Sequence, residues 1–247
     1  SMRDVMPDVF HRIDWLIAAN ASEEVMATDF ARFTADRCSA GAAAVLVFEG
    51  GPVINGEYHL VTARKGRAEY RLTAHGKGAH AGSAHDQGVN AIVDLAPIIQ
   101  AAAGLTDHAR EVTVNIGHIS GGTVLNRVPH HAAMELEMRA YDPALLQQAG
   151  GTLHALARDA SPGCSAIEVE RLGLSPSWPD DERTRGLARY WQEAGAEMSL
   201  PTKLVKRGGL SDANYLCGIG PTLDGLGPAG ANAHCSERTP DGSKVPE

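Results

Sequence analysis

Two adjacent glutamates, Glu23 and Glu24, come soon after a short apolar run at residues 12–19, and Glu49 follows a second apolar run at residues 42–47. The carboxyl ends of parallel strands are where open α/β sheets hold their ligands. One carboxylate of such a pair can coordinate a cation while its neighbour takes a proton from the metal-bound water. The alternative is a solvated acidic pair that caps the next helix, with Glu49 in a surface loop.

Imidazole and guanidinium groups occur beside small residues. His80 lies in the sequence GKGAHAG, and His234 ends the small-residue stretch GPAGANAH. Small residues let an imidazole approach a bound ion closely, although a plain turn with a solvated histidine has the same composition. Asn126 ends the loop GGTVLN. Arg139 and Arg207 carry planar forks that can pair with a carboxylate, and the alternative is a pair of surface arginines.

The apolar runs before Glu23 and Glu49 are typical of strands buried on both faces of a parallel sheet. A helix is predicted between them, at residues 29–38. The C-terminal third has the same texture, with an amphipathic helix predicted at residues 182–198 and a buried strand at residues 221–226. This order of strands and helices predicts an α/β layer.

The middle of the chain differs, because its predicted strands alternate apolar and polar residues and so have one wet face. The alternation is clearest in EYRLTA from Glu69, EVTVNI from Glu111 and MELEM from Met134. Helices are predicted at residues 87–103 and 144–159, before and after the second and third strands. With a last strand at residues 166–172, the order is βαββαβ, an antiparallel sheet with two helices on one face.

We therefore predict an α/β domain at residues 1–65 and 176–247, interrupted by an inserted domain at residues 66–175. A chain of 247 residues is long enough for this arrangement. Its 43% hydrophobic content is that of a folded protein, and no apolar run approaches the ~20 residues of a membrane span. A net charge of −8 disfavours nucleic acid as a partner. Widely spaced cysteines without a CxxC pair favour a reducing compartment, and we expect a cytoplasmic protein.

Six ordered motifs resemble the dizinc peptidases and amidohydrolases that include glutamate carboxypeptidase, acetylornithine deacetylase and aminoacylase. The resemblance covers nearly the whole chain. The motifs are SEEV at Ser22, VFEG at Val47, GKGAHAG at Gly76, ISGGTVLNRVP at Ile119, RGGLSDANY at Arg207 and PTLDGLGPAGANAH at Pro221. The resemblance implies a zinc-peptidase catalytic domain with an inserted βαββαβ lid that forms a homodimer.

The resemblance also assigns the metal and proton chemistry. Glu23 matches the general base that deprotonates the metal-bound water. Glu24 and His234 match ligands of one zinc ion, and Glu49 matches a ligand of the other. The implied metal is zinc, with cobalt or manganese as alternatives, because imidazole and carboxylate ligands suit all three.

The remaining assignments concern the substrate. His80 matches the lid histidine that reaches the partner subunit's active site and stabilises the developing oxyanion. Asn126, Arg139 and Arg207 match positions that hold the substrate's terminal carboxylate. The implied activity is cleavage of an amide or peptide bond next to a free carboxylate, as in a carboxypeptidase or an N-acyl-amino-acid deacylase.

Two departures from the family pattern qualify these expectations. The stretch Met26, Ala27 and Thr28 stands where a glycine and a serine are common. No histidine is followed two places later by aspartate, as the family's ligand motif requires. We therefore expect an N-terminally truncated chain that holds one weakly bound metal ion or none and is inactive in isolation. The alternative function is a non-catalytic dimeric binding or assembly relative. A serine hydrolase is disfavoured, since no GxSxG motif is present.

Overall fold

The computed structural model describes residues 6–21, 28–159 and 166–230. In chain order the elements are α1 (Pro7–Phe10), α2 (Thr28–Arg37), β1 (Val45–Leu46), β2 (Val53–Ile54), β3 (Glu57–Arg64), β4 (Gly66–His75), a 3₁₀ turn (His85–Gln87), α3 (Ala91–Ala103), β5 (Thr113–Gly121), β6 (His131–Ala140), α4 (Pro143–Arg158), β7 (Ala166–Ser175), α5 (Glu182–Glu197), β8 (Thr202–Arg207), α6 (Ala213–Leu216) and β9 (Thr222–Leu223).

The middle of the chain forms a four-stranded antiparallel sheet in the order β5-β6-β4-β7, covered on one face by α3 and α4. The alternation in β4 and β6 is the cause, because every second side chain is buried against the helices. Leu72, Met134 and Leu153 are fully enclosed in this core. The predicted βαββαβ order and the α/β fold class are confirmed; we call this unit the lid.

The lid helices begin at side chains that accept backbone N–H groups. Asn90 accepts from Ile92 and Val93 at the start of α3, and Asp142 accepts from Ala144 at the start of α4. None of the helices in the three described ranges is long and apolar enough to cross a bilayer.

The remaining elements form smaller sheets beside the lid. β3 pairs in parallel with β8 and antiparallel with β2, while β1 pairs in parallel with β9. A register shift between Val61 and Ala63 interrupts the β3–β8 ladder. Trp178 and Val61 are buried where these sheets meet α2 and α6.

The predicted strand at residues 12–19 is wrong. Residues 14–20 have no regular structure, and Ile17 is 92% exposed. A strand exists through the backbone bonds of a ladder, and none of the described strands pairs with this segment. The other predicted outer strands are real but short, and the sequence reading missed β3 and β8 altogether.

The chain enters the lid from β3 and returns beside the point where it entered. Arg64 and Trp178 exchange two backbone hydrogen bonds of 2.9 and 3.0 Å. Ser177 Oγ also donates to the carbonyl of Ala140, 2.9 Å away. The domain boundaries at residues 65/66 and 175/176 stay a prediction.

Candidate functional site

Three of the predicted site residues, Glu23, Glu24 and His234, lie outside the described residues. Glu49 is described. It is exposed and follows β1, at the carboxyl end of the parallel β1–β9 pair, as the sequence predicted. The proposed general base and one pair of metal ligands therefore remain predictions.

Glu49 lies near Asp212, an aspartate that sequence reasoning did not single out. Burial raises the pKa of the half-buried Asp212 carboxyl, and the charges of Glu49 and Asp224 raise it further. Asn20 Nδ2 opposes them by donating to Asp212 Oδ1 at 2.8 Å. This sheet edge is consequently rich in carboxylate oxygen.

Carboxylate oxygens suit a divalent cation, so the Glu49 edge is compatible with the metal centre that the resemblance implies. Within the described ranges, however, no cluster of three or more histidine, cysteine, aspartate or glutamate side chains could hold a metal ion. A metal centre would need ligands from outside those ranges, where Glu24 and His234, the predicted ligands of the other zinc ion, lie.

The geometry around His80 fixes the tautomer of its exposed imidazole. Nδ1 accepts the backbone N–H groups of Gly82 and Ser83, at 3.1 and 3.2 Å. An acceptor nitrogen carries no proton, so the proton of the neutral ring lies on Nε2. The His80 ring therefore presents an N–H donor, which is what stabilising an oxyanion requires.

His80 and Asn126 lie together on adjoining loops at one end of the lid sheet. The amide of Ala81 donates to the carbonyl of Asn126 at 2.9 Å. The backbones of His80 and Arg127 also form an isolated antiparallel β-bridge. The 3₁₀ turn at His85–Gln87 follows directly. The structure thus brings two of the predicted site residues into one group.

Arg139 and Arg207 form a second group at the opposite end of the lid. Arg139 makes a two-pronged ion pair with Glu137, with Nε–Oε1 and Nη2–Oε2 distances of 2.9 and 3.0 Å. Its Nη1 donates to the carbonyl of Gly208 at 3.1 Å. Arg139 therefore lies against the glycine loop that follows Arg207, whose side chain is half-buried.

The two groups are far apart within one chain. β6 runs from His131, beside the His80 loop, to Arg139, and eight residues of strand span about 26 Å at ~3.3 Å per residue. His80 and Asn126 lie beyond the His131 end. A small substrate cannot reach both groups of the same chain.

A buried polar network that sequence reasoning missed holds the glycine loop in place. Arg64 Nε pairs with Asp224 Oδ2 at 2.7 Å, with side-chain exposures of 4% and 0%. Arg64 Nη1 donates to the carbonyls of Gly209 and Leu210. Ser211 Oγ donates to the same Asp224 oxygen at 2.6 Å. The available signal was an aspartate inside the apolar run PTLDGL.

Comparison with known proteins adds a family to this geometry. Residues 62–163 match the M20 peptidase dimerisation domain. Carboxypeptidase G2 from Pseudomonas sp. is 27% identical over 77% of this chain, and YqjE from Bacillus subtilis, an uncharacterized protein, is 29% identical over 67%. The chain spans 46% and 45% of those two proteins, respectively.

Solved structures agree with the sequence matches. Aminopeptidase PepT from Bacillus cereus superposes with a TM-score of 0.68 at 27% identity, covering 82% of this chain and 53% of its own. A tripeptidase from Staphylococcus aureus shares the fold, with a TM-score of 0.64 over 75% of this chain and 48% of its own, at 24% identity. By its lid topology, its matched dimerisation domain and these relatives, the chain is similar to metallopeptidases and amidohydrolases of the M20 type.

Proposed function

We propose that this chain works in a metal-dependent hydrolase that cleaves an amide or peptide bond next to a free carboxylate. The observation that carries the proposal is that two groups of polar side chains lie at opposite ends of β6. One end presents the Nε2–H of His80 beside Asn126, and the other presents Arg139 against the loop that follows Arg207. An oxyanion donor and a carboxylate grip are two functions that this reaction needs. The similarity to carboxypeptidase G2 and aminopeptidase PepT supports the same class of reaction.

Of the two divalent metal ions of such a site, zinc or else cobalt or manganese, one would be held by Glu24 and His234 and the other by Glu49. When bound, such an ion lowers the pKa of a coordinated water and makes it a nucleophile near neutral pH. Glu23 would serve as the general base that accepts a proton from the attacking water and gives it to the departing amine. His80 donates from Nε2 to the carbonyl oxygen as its negative charge develops.

The separation of about 26 Å along β6 leads to the second part of the proposal. A substrate held by Arg139 and Arg207 of one chain would take its oxyanion donor, His80, from a second copy. In a two-fold symmetric dimer each chain would contribute its His80 to the active site of the other chain. The active site is then composite, and the dimer is required for turnover.

An exposed apolar surface beside an edge of the lid sheet, as far as the described strands define that sheet, supports dimer formation. β5 is an edge strand, and Ile92 of α3 packs against its last residue, Gly121. Val93, Ile119 and Leu125 are 62%, 56% and 103% exposed around this corner, which we call the edge patch (Ile92, Val93, Ile119, Val124 and Leu125). Pairing two β5 edges across a two-fold axis would cover both the edge and the patch.

We expect the chain to be a dimer at about 20 μM in light scattering, and the double change Val93→Lys and Ile119→Lys to make it a monomer, because four lysines would then face one another across the axis. Leu174→Lys is the matched control. Leu174 is also exposed but lies on β7, the opposite edge of the sheet. A monomeric wild type, or a monomer produced equally by Leu174→Lys, would contradict this interface.

The substrate preference tests the proposed activity directly. In a preparation of the protein that hydrolyses amides, Arg207→Ala should raise KM for free-acid substrates by about 10- to 100-fold. KM for the primary amides of the same substrates should barely change, because only the acids lose a charged two-pronged hydrogen bond. Arg185→Ala is the control, because Arg185 is half exposed on α5 and pairs with Asp180. Equal losses on acids and amides would remove Arg207 from the carboxylate site.

A further inference from the structure

Several basic side chains lie where the lid meets the parallel strands β3 and β8. Most of them have a carboxylate partner. Arg64 pairs with Asp224 at 2.7 Å, Lys206 with Glu111 at 2.7 Å and Arg139 with Glu137 at 2.9 Å. Arg67 on the neighbouring strand lies 3.5 Å from Glu69. These pairs cancel most of the positive charge of the junction.

The exceptions among the described residues are Arg207 and Lys65, and Lys65 is the lysine without an ion-pair partner. Within the described part of the chain its ammonium makes no ion pair, and it lies over the ring of Tyr141, 5.7 Å from the centroid. Lys206 lies over the same ring at 4.6 Å, but its ammonium is already bound to Glu111. One ring thus carries two ammonium groups, one with a counter-ion and one without.

The backbone of Lys65 is held firmly. Its N–H donates to the carbonyl of Arg207 at 3.2 Å, and its own carbonyl accepts from Nδ2 of the buried Asn214 at 3.2 Å. Asn214 also donates to the carbonyl of Pro176, so this residue ties both crossings of the lid together. The backbone from which the Lys65 side chain extends is therefore held in place where the lid meets β3 and β8.

The surroundings of Lys65 disfavour its charge. Burial lowers the pKa of its ammonium, and the positive charges of Arg139 and Lys206 lower it further, against the opposing effect of Glu111. An anion bound at this position would relieve that penalty. The junction is consequently better suited to a carboxylate than to a neutral group.

Arg139 has hydrogen-bonding capacity left for such an anion. A guanidinium has five N–H groups, and three are used by Glu137 and by the carbonyl of Gly208. One N–H remains on each terminal nitrogen. Because Glu137 already neutralises the charge of Arg139, the guanidinium can supply directed donors but no net positive charge.

We propose that Lys65 and the two remaining N–H groups of Arg139 form an anion subsite, walled by Tyr141, for a carboxylate group of the substrate. Lys65 supplies the charge and Arg139 supplies the geometry. The subsite rests on the proposed function in that its ligand is a carboxylate-bearing amide. It assigns to Lys65 a share of the selectivity for acids, beside Arg139 and Arg207.

Binding by the 247-residue chain tests this subsite without any turnover. The probes are N-acetyl-leucine and its primary amide, titrated by NMR at about 20 mM salt, where charges are weakly screened. We expect the acid to bind about tenfold more tightly than the amide. Lys65→Met should remove most of that difference while its side chain still covers Tyr141, and Lys65→Arg should restore most of it.

Lys206→Met is the matched control, since it removes an ammonium from the same ring that already has a carboxylate partner. It should change the acid preference less than about twofold. Salt at about 0.3 M should weaken acid binding by the wild type but not by Lys65→Met. Undiminished acid preference in Lys65→Met, or an equal loss in Lys206→Met, would overturn the subsite. Failure of the active form to hydrolyse any amide would instead overturn the proposed function and leave this binding result standing.

Discussion

Replacing Asp224 by alanine is expected to lower the free energy of unfolding by about 3–5 kcal/mol, because it leaves the buried guanidinium of Arg64 without its counter-ion. Arg64 is 4% exposed and Asp224 is fully buried, so water cannot take the place of the lost carboxylate. Arg64 Nη2 already lacks a hydrogen-bond partner among the described residues. No spare acceptor among these residues is therefore at hand to replace the Asp224 carboxylate. Ser211 Oγ would lose its acceptor in the same variant.

Urea denaturation followed by circular dichroism measures this loss. The matched control is Asp180→Ala, which breaks a two-pronged pair with Arg185 at 2.9 and 3.0 Å on the exposed side of α5. Since solvent screens that pair, its removal should cost about 0–1 kcal/mol. Similar losses in the two variants would mean that burial does not set the importance of the Arg64–Asp224 pair.

Two variants of the active form, each lacking a different group of the composite site, are expected to restore activity when mixed. His80→Ala alone should lose about 10²- to 10³-fold in kcat, as expected for removal of an oxyanion donor. Arg139→Ala alone should lose activity because it no longer binds the substrate carboxylate. In a mixed dimer, one site combines the intact Arg139 of the first chain with the intact His80 of the second.

Random exchange makes half of the dimers mixed, with one good site in two, so activity should recover to roughly a quarter of the wild-type level. A mixture of two His80→Ala preparations, unfolded and refolded in the same way, should recover nothing. If the two complementary variants also recover nothing although mass spectrometry detects mixed dimers, each chain uses its own His80 and the composite site is wrong.

The lid was predictable because its signal is local. In β4, Tyr70, Leu72 and Ala74 are buried and their neighbours are not, so the alternation read from the sequence is the burial pattern of the sheet. β3 was missed for the opposite reason. The register shift between Val61 and Ala63 breaks the two-residue period, and its last buried residue is the charged Arg64.

The sequence indicated which residue types could form the candidate site but not how they are arranged. The resemblance assigned roles to His80 and Asn126, and the structure adds that they lie together, far from Arg139. Arg64 and Asp224 are 160 positions apart in sequence, so no spacing rule could have paired them. The missing counter-ion of Lys65 was equally invisible, because it emerges only when the partners of the surrounding arginines and lysines are known.

The paired backbones of Arg64 and Trp178 also bear on how the lid could have entered the fold. Two residues that exchange both backbone bonds have Cα atoms about 5.5 Å apart. The long segment between them therefore starts and ends almost at one point, and to the rest of the chain it is equivalent to a tight hairpin turn. Because its own core closes it, it imposes little loop-closure entropy on the sheets outside it. Such a segment can be gained, exchanged or removed as one cassette, with a short turn in its place.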